Sequence, residues 1–370
     1  MLICPDKFAG TLTAVAAAKA IAAGWAEAKP GDELFRRPMA DGGPGFVDVV
    51  AAAVGGRRIP VETVDPLGRP VPGEILVVGR RAYLESAQAC GVHLLEPEER
   101  KPRLTTSYGL GILLATAIET GVREVVVGLG GTGVNDAGAG LLAALGAAPV
   151  DVAGNVLPYG GAALAHVEGL GGVPRTHGVA LVAATDVDTL LTGPRGASAV
   201  FGPQKGASRA DVLLLDAALE RFAAVLQALP SCPPTVAARP GSGAAGGVGA
   251  ALLALGGRVV SGIGLVSELT GLDRALDEVD LVITGEGSFD AQSLRGKVVS
   301  GVAAGARDRG LPCVVLAGQA SAGRREAAAA GVTETYTLVA HFGTLDQALA
   351  KPAEGLSALA GRLAGQWSRG

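Results

Sequence analysis

Short apolar runs alternate along this chain with longer segments whose apolar positions recur at helical spacing. The short runs predict buried strands at residues 1–5, 33–38, 124–128, 179–184, 281–284, 313–317 and 334–339. The longer segments predict a helix capped by Thr13 and ending near residue 28, further helices at 45–54, 108–120, 139–145, 209–229, 248–255, 297–309 and 324–330, and a C-terminal helix. Strands separated by helices pair in parallel, so the pattern predicts an α/β fold.

One segment departs from this alternation. Residues 59–64, 71–78 and 82–85 are β-rich runs separated only by turn residues, which favours a local meander over a crossover through a helix. Residues 230–242 are rich in proline and predict a surface loop or linker. Because a chain of 370 residues is too long for one ordinary core, two domains are expected.

Composition narrows the class of protein. Hydrophobic residues make up 49% of the chain but aromatic residues only 4%, so the core must be built from Val, Leu, Ile and Ala. Such a core suits parallel strands covered by helices on both faces. The formal net charge is −4, which favours neither a nucleic acid nor an anionic membrane as partner. A small-molecule substrate is therefore expected, and the oligomeric state stays open, a homodimer included.

The cysteines and the first residues indicate a cytoplasmic protein. Asp6 and Lys7 interrupt the first apolar run, so the N-terminus does not resemble a signal peptide. No uncharged apolar run reaches the roughly 18 residues needed to span a bilayer. The cysteines are far apart and form no CxxC pair, which predicts reduced, buried thiols rather than a zinc site: Cys4, Cys90, Cys232 and Cys313.

Charged residues directly follow four of the predicted strands. In open α/β sheets, ligands bind at the carboxyl ends of strands. Carboxylates there would supply hard oxygen ligands for Mg²⁺ and a base for a hydroxyl group. One such acid could be a helix cap, but the same placement after four strands predicts a ligand-binding cleft. The residues are Asp6 and Lys7, Asp41, Asp186 and Asp188, and Glu286 and Asp290.

Two glycine-rich segments match the GxGxxG pattern. Gly128-Leu129-Gly130-Gly131-Thr132-Gly133 follows a predicted strand and precedes a helix, as in a dinucleotide fingerprint. Asn135-Asp136 follows, where a Rossmann helix would normally start on small or apolar residues. Gly241-Ser242-Gly243-Ala244-Ala245-Gly246 matches without an obvious preceding strand. We interpret both as anion-binding loops, with tight turns for close packing as the alternative.

Lys205 stands in Gly202-Pro203-Gln204-Lys205-Gly206, after an apolar run. A lysine in a loop rich in backbone amides is suited to phosphate. The alternative is an ordinary solvated loop lysine. The chain contains no GxxxxGK[ST] motif, so a Walker-type nucleotide site is not expected.

Taken together, these motifs resemble the glycerate kinases of the GarK type, the glycerate kinase type-1 family. The resemblance runs in order along nearly the whole chain, and the motifs are jointly specific although each alone is weak. It rests on Cys4-Pro5-Asp6-Lys7-Phe8-Ala9-Gly10-Thr11-Leu12-Thr13, Ala40-Asp41-Gly42-Gly43, Asp65-Pro66-Leu67-Gly68, Glu85-Ser86-Ala87, the Asn-Asp loop at 130–138, Asp186-Val187-Asp188, Phe201-Gly202-Pro203-Gln204-Lys205-Gly206-Ala207, Gly243-Ala244-Ala245-Gly246-Gly247 and Gly285-Glu286-Gly287 with Asp290, Gln292 and Ser293.

The resemblance implies a kinase that transfers the γ-phosphoryl group of ATP to D-glycerate, usually giving 2-phosphoglycerate, with Mg²⁺ as cofactor. We expect glycerate or a close hydroxy acid as the substrate. It also implies two α/β domains with the active site in the cleft between them. One domain is Rossmann-like with a mainly parallel sheet and is built from both chain ends. We place it at residues 1–65 and 285–370, and the second α/β domain, with the glycine-rich loops, at 66–284.

Site roles follow from the same resemblance. Asp186 is the first candidate for the base or a metal ligand, with the metal role slightly favoured because Asp188 is close enough to share a cation. Lys205 would neutralise charge on the transferring phosphoryl group. The further candidates are Gly130, Gly131, Thr132 and Asn135 for a phosphate or substrate loop, Asp6, Lys7, Asp41 and Glu286 for substrate or phosphate, and Asp290 as a metal ligand.

Two positions depart from the family pattern. Ala9 stands where the family commonly has lysine, and Pro44 where it commonly has glutamate. Both changes remove a charge from loops that we place at the cleft. Two alternatives therefore stay open: an NAD-dependent oxidoreductase that uses the loop at 128–133, and a non-catalytic ligand-binding relative that lost turnover.

Overall fold

A computed structural model describes residues 1–8, 10–294 and 298–367 of the chain. Ala9 lies outside these residues, and so does Lys297, at which the helix predicted at 297–309 was expected to start. The chain divides into two compact units. The first contains residues 1–41, 48–55 and 263–370, and the second contains residues 42–47 and 56–262.

The strands and helices of the described residues follow in chain order. The strands are β1 Leu2–Pro5, β2 Phe35–Arg36, β3 Arg57–Val64, β4 Pro70–Val78, β5 Arg81–Glu85, β6 Glu124–Gly128, β7 Pro149–Val150, β8 Gly169–Leu170, β9 Ala180–Ala184, β10 Arg258–Val260, β11 Val282–Phe289, β12 Cys313–Ala320 and β13 Glu334–Thr337. The α-helices are α1 Ala14–Ala28, α2 Phe46–Val54, α3 Ala87–Cys90, α4 Tyr108–Glu119, α5 Ala139–Ala144, α6 Ala197–Phe201, α7 Arg209–Leu226, α8 Ala244–Ala254, α9 Gly262–Thr270, α10 Leu272–Leu276, α11 Val298–Arg307, α12 Arg324–Ala329, α13 Leu338–Phe342, α14 Leu345–Ala350 and α15 Pro352–Trp367.

The first unit is built on a parallel sheet with the strand order β13-β12-β11-β1-β2. Helix α1 begins where the sequence predicts, because the Thr13 side chain accepts a hydrogen bond from the Ala16 N–H. Helices α1 and α15 pack closely together. A Cβ at Gly24 would lie 1.9 Å from the Ser357 carbonyl oxygen, so only glycine permits this approach. The expected Rossmann-like sheet is confirmed.

The second unit contains a mixed sheet with the order β10-β9-β6-β5-β4-β3. Strands β10, β9, β6 and β5 run in parallel, while β5, β4 and β3 form the predicted antiparallel meander. The carboxyl ends of β6 and β9 therefore lie side by side, with Gly128 opposite Ala184. The core is dominated by aliphatic side chains, as the composition indicates.

Several predicted boundaries differ from the structure. Strand β11 continues to Phe289 because β12 pairs with it as far as Ala320, so Glu286 lies in a strand rather than in a loop. Residues 281–284, assigned by sequence to the second domain, belong to the first unit because β11 pairs with β1. The expected surface loop at 230–242 includes buried residues, among them Val236 and Ser242.

Two further expectations bear on the class of protein. Cys4, Cys90 and Cys313 are buried free thiols, and Cys232 is a half-buried one. Within the described part of the chain, no helix has both the length and the apolar character needed to cross a membrane.

Candidate functional site

Charged residues of the first unit gather where β1 ends. The Asp6 N–H donates to the Gly285 carbonyl of β11 (2.8 Å), which fixes the residue at the carboxyl end of the central strands. Its side chain is buried, with 6% of the residue exposed. The Lys7 N–H donates to Asp6 Oδ1 (2.7 Å), and Lys7 Nζ lies 3.5 Å from that oxygen and 3.8 Å from Asp41 Oδ1. One ammonium group is thus shared by two carboxylates.

Burial raises the pKa of Asp6 to about 6. The Lys7 ammonium opposes this rise, while the Asp41 carboxylate adds to it. Asp6 therefore remains mostly ionised at neutral pH but can accept a proton with little penalty.

Glu286 and Asp290 of the first unit have different surroundings. Glu286 is buried on β11, directly after the glycine that accepts the Asp6 N–H. Asp290 Oδ1 accepts the N–H groups of Gln292 (2.7 Å) and Ser293 (3.2 Å), so it stabilises the turn after β11. These two hydrogen bonds explain why an aspartate stands at position 290 without any need for a bound ligand.

Three loops of the second unit converge at the carboxyl ends of β6 and β9. The Leu129 N–H donates to the Ala184 carbonyl (2.9 Å), and a Cβ at Gly42 would lie 2.4 Å from that same oxygen. A Cβ at Gly130 would lie 2.7 Å from the Gly43 Cα. These glycines permit backbone-to-backbone contact, so close packing explains them at least in part.

Pro44 belongs to this contact. A Cβ at Gly131, which has a positive φ of +66°, would lie 2.7 Å from the Pro44 Cγ. The following helix α2 is capped by the buried Glu85 carboxylate, which accepts the N–H groups of Gly45 (3.1 Å) and Val47 (3.0 Å). The glutamate expected at position 44 is thus replaced by a ring that packs on the glycine loop.

Helix α5, which follows the first GxGxxG match, does not offer its N-terminus to a ligand. Asp136 Oδ1 accepts the Gly138 N–H (3.1 Å), and Asp136 Oδ2 accepts the Gly140 N–H (3.2 Å). The Ser107 hydroxyl accepts the Leu141 N–H (3.0 Å) and donates to Asp136 Oδ2 (2.9 Å). A dinucleotide pyrophosphate would need these same amides. The interpretation as an NAD-binding loop therefore has no structural support.

The second GxGxxG match is also a packing device. A Cβ at Gly246 would lie 2.0 Å from the Val134 carbonyl oxygen, and the Gly246 carbonyl accepts the Ala137 N–H (3.0 Å). Ala245, Gly246 and Gly247 all have positive φ, so α8 becomes regular only from Val248, the predicted first residue. The segment at 241–246 therefore packs against the loop at 134–137 and stabilises it.

Lys205 is buried, with 3% of the residue exposed, so the interpretation as a solvated loop lysine is wrong. Its ammonium donates to the Val134 carbonyl oxygen (2.7 Å) and the Thr132 hydroxyl (3.3 Å). Burial lowers the pKa of Lys205 to about 8, although Cys90 and Asp136 act in the opposite direction. The lysine therefore keeps its charge at neutral pH and holds the loop at 132–134.

Asn135 is completely buried beside this lysine-bound segment. Its Nδ2 donates to the Ser198 hydroxyl of α6 (2.9 Å). Among the described residues, no donor reaches Asn135 Oδ1. A buried amide oxygen of this kind is costly unless water or a ligand satisfies it.

Asp186 lies just beyond β9 and is half-buried, whereas Asp188 is exposed. The Ser261 hydroxyl donates to Asp186 Oδ1 (2.6 Å). In the described residues, no three His, Cys, Asp or Glu side chains are grouped so that they could hold a metal ion by themselves. A cation here would need oxygen ligands from another source, such as phosphate groups.

Sequence reasoning gave no role to several residues that shape these loops. Ser86 exchanges hydrogen bonds with the Gly130 backbone, Ser198 orients Asn135, Ser261 orients Asp186, and Ser107 and Asp136 close the end of α5. Isolated serines carry little signal because their partners lie far away along the chain. Asp136 was visible beside Asn135, but nothing in the sequence separates a buried cap from a ligand.

The fold and these loops define a two-unit α/β protein with glycine-rich loops and buried charges at the carboxyl ends of parallel strands, an arrangement suited to a polar, anionic small molecule. Comparison with known proteins makes the class specific. The chain matches the family model described as the glycerate kinase family over residues 1–368. The protein belongs to this family.

Relatives match along nearly their whole length. A glycerate kinase of Halalkalibacterium halodurans is 38% identical over 94% of this chain and 93% of its own. The glycerate 2-kinase of Escherichia coli K12 is 38% identical over 94% of this chain and 92% of its own. A crystal structure from Salmonella typhimurium LT2, described as a glycerate kinase 2, superposes with a TM-score of 0.81 at 36% identity and covers 99% of this chain and 97% of its own. The two-domain α/β fold class is confirmed.

Proposed function

We propose that the protein is a cytoplasmic kinase that transfers the γ-phosphoryl group of ATP to D-glycerate and releases 2-phosphoglycerate, with Mg²⁺ as cofactor. Family membership supports the reaction class. The observation that carries the proposal is the buried Lys205, whose ammonium is fixed against the loop at 132–134. A cation held in this way keeps its position while charge develops on a transferring phosphoryl group.

Lys205 has donor capacity left for this role. An ammonium group carries three N–H donors, and the described residues accept two of them. The third can serve a phosphate oxygen. Asn135 Oδ1, buried and without a donor in the described part of the chain, can accept a hydroxyl group of the substrate.

The residues at the end of β9 fit a magnesium ion. Mg²⁺ is usually held by one or two carboxylates together with water and substrate phosphates, so Asp186 and Asp188 suffice on the protein side. The Ser261 hydroxyl orients the Asp186 carboxylate. When bound, the ion would neutralise charge on the phosphate groups. Asp290 is the weakest proposed ligand because its Oδ1 already serves a turn.

The charged residues at the end of β1 and on β11 also suit the chemistry of glycerate phosphorylation. Lys7 offers a cation for the carboxylate of glycerate or for a phosphate group, and Asp6, Asp41 and Glu286 offer acceptors for hydroxyl groups. Because position 9 holds alanine rather than lysine, the cations that this proposal uses are Lys7 and Lys205.

Product analysis by ³¹P NMR tests the reaction. The protein is incubated with ATP, Mg²⁺ and D-glycerate, with parallel samples that lack Mg²⁺ or contain L-glycerate. Phosphorylation at the secondary hydroxyl splits the phosphorus signal by one proton, and phosphorylation at the primary hydroxyl splits it by two. We expect the first pattern and dependence on Mg²⁺. No ADP release with D-glycerate would favour the non-catalytic alternative, and NADH binding measured by fluorescence would favour the oxidoreductase.

The variant Asp186→Asn tests the metal site. We expect a higher Mg²⁺ concentration for half-maximal activity and partial rescue by excess Mg²⁺, because one of two carboxylate ligands is lost. The matched control is Asp151→Asn, which removes a charge from an exposed turn of the same unit. Loss of kcat with unchanged Mg²⁺ dependence would instead make Asp186 the base.

A further inference from the structure

Asp6 differs from three other buried carboxylates, Asp65, Glu85 and Asp136. Asp65 accepts the Arg69 Nε–H at 2.5 Å and two backbone N–H groups, and Asp136 accepts four hydrogen bonds. Glu85 binds both amides at the start of α2. These carboxylates are satisfied by several short contacts each, so they stabilise the fold.

The charge of Asp6 is compensated less completely, because among the described residues its carboxylate accepts one short hydrogen bond, from the Lys7 N–H (2.7 Å). Charge-assisted hydrogen bonds are usually about 2.7–2.9 Å long. Lys7 Nζ lies 3.5 Å from Asp6 Oδ1 and is shared with Asp41 at 3.8 Å. A carboxylate that is desolvated but only loosely paired retains its basicity. Asp6 also lies at the carboxyl end of β1, and α/β sheets bind ligands at the carboxyl ends of their strands.

We propose, on the basis of the function proposed above, that Asp6 is the general base that accepts the proton of the glycerate hydroxyl group during transfer. The hydroxyl O–H bond breaks and its proton moves to a carboxylate oxygen of Asp6. The alkoxide oxygen forms a bond to the γ-phosphorus of ATP. The bond between that phosphorus and the bridging oxygen breaks, and its electron pair leaves with ADP.

The proton affinity of Asp6 suits this step. Its pKa of about 6 leaves the carboxylate ionised at neutral pH yet basic enough to share a proton in the transition state. The charged groups that act on its pKa are Lys7 on its own loop and Asp41 after β2. Glu286 lies on the neighbouring strand β11, one residue beyond the partner of Pro5.

Removing the charge of each neighbour should shift the pKa of Asp6 in opposite directions, which gives a test. We measure kcat/KM for D-glycerate at saturating magnesium nucleotide between about pH 5 and pH 9. Lys7→Met removes the cation that lowers the pKa of Asp6, so the acidic limb of the profile should move to higher pH by about one pH unit. Asp41→Asn removes an anion that raises it, so the limb should move to lower pH. Asp346→Asn, on an exposed helix of the same unit, should leave it in place.

The base itself is tested by Asp6→Asn. We expect kcat to fall by about 10²–10⁴-fold in a protein that still unfolds cooperatively on heating. Two results would overturn the assignment. The first is Asp6→Asn activity within tenfold of wild type. The second is an acidic limb that moves in the same direction in both neighbour variants, or in neither. If the wild-type protein fails to phosphorylate glycerate, the proposed function falls first and the assignment falls with it, which is a separate and recognisable result.

Discussion

The end of β1 in the first unit and the loop at 132–136 in the second unit both bury charge, but they compensate it differently. Lys205 donates to a carbonyl oxygen at 2.7 Å and is supported by the surrounding backbone. Asp6 faces an ammonium at 3.5 Å that it shares with a second carboxylate. A closely compensated charge stabilises a fixed structure, here the loop at 132–136 with Lys205, which we call the frame. A loosely compensated charge keeps its capacity to react.

The pKa values of these two groups move toward each other. Burial raises that of Asp6 to about 6 and lowers that of Lys205 to about 8. Asp6 is ionised above the first value and Lys205 is protonated below the second. Activity that needs both charges is therefore highest between about pH 6 and pH 8.

Among the variants of the second unit, the largest effect is expected for Lys205→Met. We expect kcat to fall by roughly 10²–10³-fold because the cation beside the phosphoryl group is lost. The free energy of unfolding should also fall by about 1–3 kcal/mol, since the Val134 carbonyl loses its donor in a buried position. Activity and thermal unfolding are measured together.

The control for this variant is Lys101→Met, which removes the charge of an exposed lysine in the same unit. Both properties should stay near wild type. If Lys205→Met kept normal kcat and only lost stability, the lysine would belong to the frame alone, and the proposed phosphate contact would be wrong.

Asp6→Asn should have the opposite effect on folding. The pKa of Asp6 is raised on folding from 3.8 to about 6, so the folded protein binds the proton more tightly than the unfolded chain. Stability from this group is complete below about pH 4 and is lost as the pH rises through about 6. Removing the charge should therefore stabilise the protein by up to about 3 kcal/mol at pH 8, and the gain should vanish near pH 4.

Urea unfolding at those two pH values measures the difference. A variant that is more stable at high pH and yet inactive would show that the wild-type chain accepts a cost in stability for function at this position. An asparagine variant that is less stable than wild type at both pH values would place Asp6 among the satisfied carboxylates and remove the contrast between the two regions.

The sequence predicted the sheets better than the loops, and the reason is physical. Short-range patterns define buried strands and helix caps, so β6 and the start of α1 lie where expected. Whether a polar residue is buried depends on partners far along the chain. Lys205 lies in a short segment between Gly202 and Gly206, as a surface lysine could, yet its oxygen partners come from residues 132–134. The glycines at 130–131 were assigned to anion binding, but close packing against residues 43–44 also demands them.

Ser198→Ala tests whether the frame depends on its satisfied hydrogen bonds. Asn135 Nδ2 would lose the hydroxyl that accepts its hydrogen bond at 2.9 Å, inside a completely buried site. We expect a loss of about 1–3 kcal/mol in the free energy of unfolding. Ser321→Ala, an exposed serine, serves as control and should change stability by less than about 0.5 kcal/mol. Equal stabilities would mean that water replaces the hydroxyl group and that Asn135 is held by its backbone.

The smallest expected effect concerns backbone strain in the segment that supports the frame. Ala245 has φ of +53°, a left-handed conformation that costs an alanine about 1–2 kcal/mol. Ala245→Gly relieves this strain but increases the entropy of the unfolded chain, so a net gain of about 0.5–1 kcal/mol is expected. The matched control is Ala250→Gly in the same helix, which is buried and should lose about 1 kcal/mol or more. Thermal unfolding of the two variants should therefore shift in opposite directions. If Ala245→Gly gained stability but lost kcat, the strain would position the loop at 134–137 for the reaction; unchanged kcat would make it a cost of packing alone.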